Sequence, residues 1–80
     1  MENRLKLAQP VVVAGNETTE LTMRRMKVRD RLVVEKLGGS DIEKEVQLIA
    51  NLCDVSRAVI EELDMQDYLR LQERYTSFLS

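Results

Sequence analysis

The sequence of 80 residues has no histidine and no tryptophan, and it has a single cysteine, Cys53. Without histidine, Ser-His-Asp triads, imidazole-based proton transfer and the usual zinc sites are excluded. No serine lies in a nucleophile-elbow setting, and nothing in the pattern places two carboxylates around an apolar cleft. A chain this short also has little room for a pocket of useful volume. We therefore expect a protein that is not an enzyme and that uses no cofactor and no metal.

Long apolar runs are also missing, and the longest is Val11-Val12-Val13-Ala14. A membrane-spanning helix needs about 20 apolar residues, so none is predicted. Neither the charged start nor the apolar segment of a secretory signal is present. A single cysteine cannot form an internal disulfide. These absences predict a protein of the reducing cytosol that makes no membrane contact.

Charge is present in quantity but is unevenly distributed along the chain. The formal net charge of −2 gives the whole chain no electrostatic footprint for nucleic acid. Residues 1–40 contain eight Lys or Arg and five acids, whereas residues 41–80 contain four and nine. The two halves therefore carry +3 and −5. This polarity suits docking to a second protein or end-to-end self-association.

Residues 1–24 alternate in hydropathy, which is typical of β-strands. The apolar residues of one parity are Leu5, Leu7, Val11, Val13, Leu21 and Met23. We predict a hairpin with a three-residue loop, Gly15 to Glu17, because this loop sets Val11 opposite Leu21. A two-residue loop would set Val11 against Glu20 and place charge on the apolar face. Pro10 has no N–H to donate, so its strand should be broken there or lie at an edge.

The period becomes helical from Val28 onward. A first helix is predicted over residues 28–37, ending at Gly38-Gly39, since glycine adopts the positive φ of a helix C-cap at little cost. Its apolar residues are Val28 and Leu32 on one side and Val33 and Leu37 on the other. A small domain cannot easily cover both sides, so this helix is one candidate for contact with a partner.

Capping residues predict the helices that follow. Ser40 and Glu43 form a capping box for the second helix, Ser56 caps a short third helix to about Leu63, and Asp64 caps the fourth. The apolar stripe of the second helix consists of Ile42, Val46, Ile49, Ala50 and Cys53, so Cys53 is expected to be a buried structural residue. The predicted fold class is α+β, an N-terminal β-hairpin or small meander followed by three to four helices. We expect one domain over residues 1–80, with a hairpin region at 1–24 and a helical region at 27–80.

The fourth helix has a stripe that consists of Tyr68, Leu71, Tyr75, Phe78 and Leu79. All three aromatic residues of the chain lie in it, and tyrosine and phenylalanine are typical anchors of protein interfaces. The stripe can be interpreted as core or as a partner-binding face. We predict Tyr75, Phe78 and Leu71 as partner-binding residues, and we expect Tyr68 to be held by a hydrophobic staple with Leu63.

A local basic cluster precedes and opens the first predicted helix, and it consists of Arg24, Arg25, Lys27, Arg29 and Arg31. Three interpretations stay open: a solvated helix entry that balances the acidic half, a site for an acidic protein partner, and a nucleic-acid contact. No aromatic residue is interleaved with these charges for base stacking, so nucleic acid ranks last.

Residues 5–79 contain a series of short segments in a definite order. They are Pro10, Val11, Val13 and Gly15, then Glu20-Leu21-Thr22-Met23-Arg24, Val28-Arg29-Asp30, Glu35-Lys36, Gly38-Gly39-Ser40-Asp41, Glu45-Val46, Leu52-Cys53, Glu61-Glu62-Leu63 and Asp67-Tyr68-Leu69-Arg70-Leu71-Gln72. In this order and spacing they resemble the tail assembly chaperones of Mu-like, contractile-tailed phages. Two departures concern helix ends. Met26-Lys27 replaces the family's usual Pro-Thr, and Asp54 and Arg57 stand where Gly and Pro are frequent.

The resemblance implies a protein made in the host cytoplasm and absent from the mature virion. It implies that the chain binds the tape measure protein, keeps it soluble and helps recruit the tail tube protein. Many such chaperones are made in two lengths by a programmed frameshift, so a longer form of the chain is a further expected partner. Two alternatives stay open. One is a small phage or bacterial regulator that binds nucleic acid through residues 24–31, and the other is a structural tail subunit.

Overall fold

The computed structural model describes residues 3–79, in which two strands are followed by four helices. The elements are β1 (Arg4–Val13), β2 (Asn16–Thr22), α1 (Val28–Leu37), α2 (Asp41–Cys53), α3 (Arg57–Glu61) and α4 (Met65–Ser77). β1 and β2 form an antiparallel two-stranded sheet. The predicted α+β fold class, a hairpin followed by helices, is confirmed.

The hairpin closes through Ala14 and Gly15, whose φ angles are 51° and 81°. Positive φ at both central residues is typical of the type I′ turn, whose twist matches that of the flanking strands. The turn pairs Val13 with Asn16. The predicted three-residue loop over Gly15–Glu17 is therefore wrong. Ala14 takes a left-handed conformation that glycine, asparagine and aspartate adopt more readily than alanine does.

β1 changes register in its middle. The partners are Arg4–Thr22, Leu5–Leu21 and Lys6–Glu20 at the open end and Val11–Thr18, Val12–Glu17 and Val13–Asn16 near the turn. Residues 7–10 of β1 thus lie opposite the single residue Thr19. Pro10 falls within this bulge, where its missing N–H removes no ladder hydrogen bond. β1 nevertheless runs unbroken from Arg4 to Val13. Of the two outcomes predicted for Pro10, the break is therefore wrong and the edge position is observed, since each strand of a two-stranded sheet has an unpaired edge. The bulge brings Leu5, in place of Val11, opposite Leu21.

α1 and α2 are joined by the predicted glycine pair and capping box. Gly38 and Gly39 have φ angles of 73° and 99°, so α1 ends where the sequence places its end. The Ser40 hydroxyl accepts a hydrogen bond from the Glu43 N–H at 3.3 Å, and the Glu43 carboxylate accepts one from the Ser40 N–H at 2.9 Å. Local capping chemistry therefore sets both ends of this connection.

The third helix is shorter than predicted. It ends at Glu61 instead of near Leu63, and the Ser56 side chain makes no capping hydrogen bond. Asp64 caps α4 as predicted, since its carboxylate accepts a hydrogen bond from the Gln66 N–H at 3.0 Å.

The core is built from the hairpin and from α2, α3 and α4, with a single apolar residue from α1. Its buried apolar residues are Leu5, Leu7, Val11, Leu21, Met23, Val34, Leu48, Ile49, Ala50, Leu52, Cys53, Val59, Ile60, Tyr68 and Leu71. Ile42 is 53% exposed, so the stripe predicted for α2 begins one turn later, at the partly buried Val46. Leu79, predicted in the stripe of the fourth helix, is 59% exposed.

Candidate protein-binding surface

The first two turns of α4 are fixed against α2. Tyr68 and Leu71 are 5% and 1% exposed. The Tyr68 hydroxyl donates to the Glu45 carboxylate, and the Gln72 amide donates to the same oxygen at 2.7 Å. Burial raises the pKa of Tyr68, and the hydrogen bond to Glu45 acts in the same direction. Tyr68 is therefore a structural residue that orients α4.

The Asp67 side chain is 0% exposed and fastens α4 to β1. Its two carboxylate oxygens accept hydrogen bonds from the N–H groups of Ala8 and Gln9, each at 3.1 Å. Arg70 completes the site with an ion pair to Asp67 at 2.7 Å. Burial alone would raise the pKa of Asp67, but the two N–H groups and Arg70 outweigh it and lower that pKa. Asp67 thus satisfies two of the donors that the bulge at Pro10 withdraws from the ladder.

The end of α4 presents the two remaining aromatic residues. Tyr75 and Phe78 are partly buried and pack against the core. The Arg25 guanidinium lies 5.6 Å from the centroid of the Phe78 ring, a cation–π distance. Of the three predicted partner-binding residues, Tyr75 and Phe78 thus reach the surface. Leu71, at 1% exposed, lies in the core.

Tyr75 also lines an open groove of about 230 Å³ between α1, α2 and α4. The walls are mostly charged and consist of Arg31, Val34, Glu35, Asp41, Lys44, Glu45 and Leu48. Lys44 bridges α2 to α1 through an ion pair with Glu35 at 2.9 Å, and that contact lowers the pKa of Glu35. The groove therefore has one aromatic side chain among charged ones, which suits a partner side chain more than a small-molecule ligand.

Much of the basic cluster is engaged by groups of the protein itself. Arg24 makes two hydrogen bonds to the buried Asp30 carboxylate, at 2.8 and 2.7 Å. These bonds and the Lys27 N–H hold the pKa of Asp30 well below its usual range. Arg31 pairs with Glu35 at 3.3 Å, while Arg25 covers Phe78. Carboxylates of α1 thus offset two of the five charges, those of Arg24 and Arg31, which favours a helix entry over a nucleic-acid contact.

The outer face of α1 exposes four large apolar side chains, more than any other element of the described residues. Val28, Leu32, Val33 and Leu37 are 79%, 56%, 49% and 64% exposed. α1 instead packs through Val34 and Asp30, its two buried residues. The sequence predicts that the domain cannot easily cover both apolar sides of this helix. The structure covers neither of the two sides.

Cys53 lies in the core at the end of α2 and is 8% exposed. Burial raises the pKa of its thiol to about 11. The thiolate, which is the reactive form, is therefore scarce at neutral pH. Cys53 belongs to the packing of α2 and not to a site.

Within residues 3–79, no helix is long and apolar enough to cross a membrane. In the same part of the chain, no group of three or more His, Cys, Asp or Glu side chains is arranged to hold a metal ion.

Comparison with known proteins identifies a family. The sequence model of the family described as phage tail assembly chaperone proteins, E, or 41 or 14, matches residues 4–80. Neither a curated protein nor a solved structure gives a significant match. The matched range includes the hairpin, all four helices of the described region and both the α4 aromatics and the outer face of α1.

Proposed function

This chain belongs to the family of phage tail assembly chaperones, and we propose that it binds the tape measure protein of its own phage and keeps that protein soluble. We further propose that the bound chain helps recruit tail tube subunits. The family is one of assembly chaperones and not of enzymes, so the expectation of a non-catalytic protein agrees with the family. The expected longer, frameshifted form of the chain would share these partners.

The observation that carries the proposal is the pair of aromatic residues at the end of α4. Tyr75 and Phe78 are held in place by the core beneath them but keep part of their surface in solvent. Partly exposed aromatic side chains on a fixed helix lose little conformational entropy when they bind, so they make strong anchors. A tape measure protein is long and helical, and its apolar stripes offer matching surfaces for such anchors.

We propose Tyr75 and Phe78 as the contact residues, with Leu71 supporting them from the core. Arg25, placed over the Phe78 ring, would meet acidic residues beside an apolar stripe of the partner. Modest affinity at each site is sufficient, because many copies of the chaperone can line one long chain.

Co-expression with the tape measure protein tests the proposal. The double change Tyr75→Ala with Phe78→Ala should weaken binding by more than about 2 kcal/mol, a loss typical of hot-spot residues, and the tape measure protein should become insoluble. Val12→Ala, which removes a 63% exposed apolar residue of the hairpin, is the control and should leave solubility unchanged.

Circular dichroism must show that the double variant is folded before its binding is compared. If the folded variant keeps the tape measure protein soluble as well as the wild type does, the contact residues are elsewhere, and α1 is the next surface to test.

We also propose that the protein acts in the host cytoplasm and is absent from the finished particle. Mass spectrometry of purified virions, with the tube protein as the internal standard, tests this part. Recovery of the chain in amounts comparable to a tail subunit would favour a structural tail protein instead.

A further inference from the structure

The outer face of α1 combines apolar surface with positive charge. We define it by Val28, Arg29, Leu32, Val33, Lys36 and Leu37. Arg29 and Lys36 are seven residues apart, two helical turns, so they lie on one line between the two apolar pairs. Within the described residues, neither side chain makes a hydrogen bond or an ion pair, although the charge of Arg29 acts on Asp30. This face is therefore apolar and basic, and the fold does not neutralise it.

The outer face of α4 combines apolar surface with negative charge. We define it by Met65, Leu69, Glu73 and the preceding Glu62. Met65 and Leu69 are 62% and 46% exposed and one turn apart, and Glu73 follows one turn later. Glu62 and Glu73 are exposed, and in residues 3–79 neither carboxylate has an ion-pair partner. This face lies on the side of α4 opposite to Leu71 and the core.

We propose that the outer face of α1 in one copy binds the outer face of α4 in a second copy of this chain. The two faces complement each other in both respects, since apolar side chains meet apolar side chains and unpaired bases meet unpaired acids. Their lengths also agree. α1 has 10 residues and α4 has 13, or about 15 and 20 Å of helix. The net charges of +3 and −5 on the two halves of the chain favour the same orientation.

Pairing of α1 with α1 is disfavoured by the same charges. In a two-fold contact the same patch faces itself, so Arg29 and Lys36 would meet the partner's Arg29 and Lys36. The α1–α4 contact avoids this repulsion in both assemblies that it allows. Either each of two copies binds α1 to the other's α4, or many copies bind head to tail. It uses neither Tyr75 nor Phe78, so self-association and tape measure binding can occur together.

Charge exchange gives a direct test by sedimentation equilibrium. The wild type should self-associate with a dissociation constant that rises with salt, because salt screens exposed charges. Arg29→Glu with Lys36→Glu makes both faces acidic, and Glu62→Lys with Glu73→Lys makes both faces basic. Each double variant alone should associate at least about tenfold more weakly than the wild type.

An equimolar mixture of the two double variants is the decisive sample. Each acidic face then finds a basic one, so association should return to within about threefold of the wild type. A chain that carries all four changes should likewise recover self-association. Glu17→Lys on the hairpin alters the net charge by half as much as the α4 variant, and it should leave the dissociation constant within about twofold of the wild type.

Three results would overturn the proposal. The wild type could stay monomeric to about 1 mM, or the mixture could associate no better than its components. In the third, the α1 variant would weaken self-association while the α4 variant would not. Circular dichroism of each variant excludes loss of fold as the cause. The tape measure solubility assay is run on the same variants and should be unaffected, so failure of this proposal is distinguishable from failure of the proposed function.

Discussion

α4 and α1 each bury one carboxylate, but the fold uses the two helices differently. α4 commits Tyr68 and Leu71 to the core. α1 commits only Val34 and exposes four large apolar residues. A chain of this size can bury only about 60% of its unfolded surface, so some apolar residues must remain outside. Apolar character alone therefore does not place a side chain in the core, and the exposed apolar residues of α1 are available for binding.

The two buried carboxylates also differ, in how far along the chain their hydrogen-bond partners lie. Asp67 joins elements that are far apart in sequence, since it binds the N–H groups of Ala8 and Gln9. Asp30 acts locally, on Arg24 and on the Lys27 N–H. Removal of Asp67 should therefore damage the whole fold, whereas removal of Asp30 should loosen the entry to α1.

The largest effect on stability is expected for Asp67→Ala. It leaves the N–H groups of Ala8 and Gln9 and the Arg70 guanidinium without their acceptor, and should cost about 3 kcal/mol in the free energy of unfolding. Urea denaturation followed by circular dichroism measures this loss. Asp64→Ala, which removes only the N-cap of the same helix, is the control and should cost about 1 kcal/mol. Equal losses for the two variants would show that Asp67 does not fasten the hairpin.

Acid should destabilise the protein through the same two carboxylates. Both have a lower pKa in the folded state than in the unfolded state, where the value is about 3.9. The unfolded state therefore binds more protons, so the stability present above about pH 4 is lost progressively as the pH falls below that value.

The urea midpoint should thus fall as the pH is lowered from about 4 to about 2, and it should fall less steeply for Asp30→Asn, in which one titrating group is absent. An equally steep fall in wild type and variant would mean that Asp30 is not held in its charged form by Arg24.

Cys53→Ala should cost about 1 kcal/mol, the effect of a small cavity in the core, and should leave tape measure binding unchanged. A thiol reagent should react slowly with the native protein, because burial raises the pKa of Cys53 to about 11. Rapid labelling under native conditions would contradict the structural role.

The smallest effect, and a favourable one, is expected for Lys27→Thr. Lys27 is the N-cap of α1, with φ −109° and ψ 162°, and its N–H already donates to Asp30 at 2.7 Å. The lysine side chain cannot accept a hydrogen bond, so a threonine hydroxyl should add about 0.5–1 kcal/mol of stability. Lys27→Ala is the control and should give no gain in the thermal midpoint. If Lys27→Thr also leaves the thermal midpoint unchanged, the missing side-chain cap does not limit the stability of α1.

The features that could be predicted from the sequence are those that depend on near neighbours. The ends of α1 and the Ser40–Glu43 box follow from residues within one turn, as does the cap at Asp64. The hairpin turn escaped prediction because Ala14 takes a conformation that its residue type does not favour.

The candidate surfaces could be predicted only in part, because they depend on distant contacts. Pro10 indicates unpaired donors in β1, but nothing local identifies Asp67, 58 residues from Gln9, as their acceptor. Likewise, the two apolar sides of α1 are visible in the sequence, while its packing through Asp30 and Val34 is set by the neighbours it meets in space.

Two adjacent valines of α1 show whether the outer face of this helix lies outside the core. Val33 is 49% exposed and Val34 is 2% exposed, and both are changed to alanine in the same helix. If the outer face of α1 takes no part in folding, Val34→Ala should lower the free energy of unfolding by about 2 kcal/mol. Val33→Ala should change it by no more than about 0.5 kcal/mol, since alanine is also the better helix former. Equal losses at the two positions would show that Val33 belongs to the core and that the outer face of α1 is not free for binding.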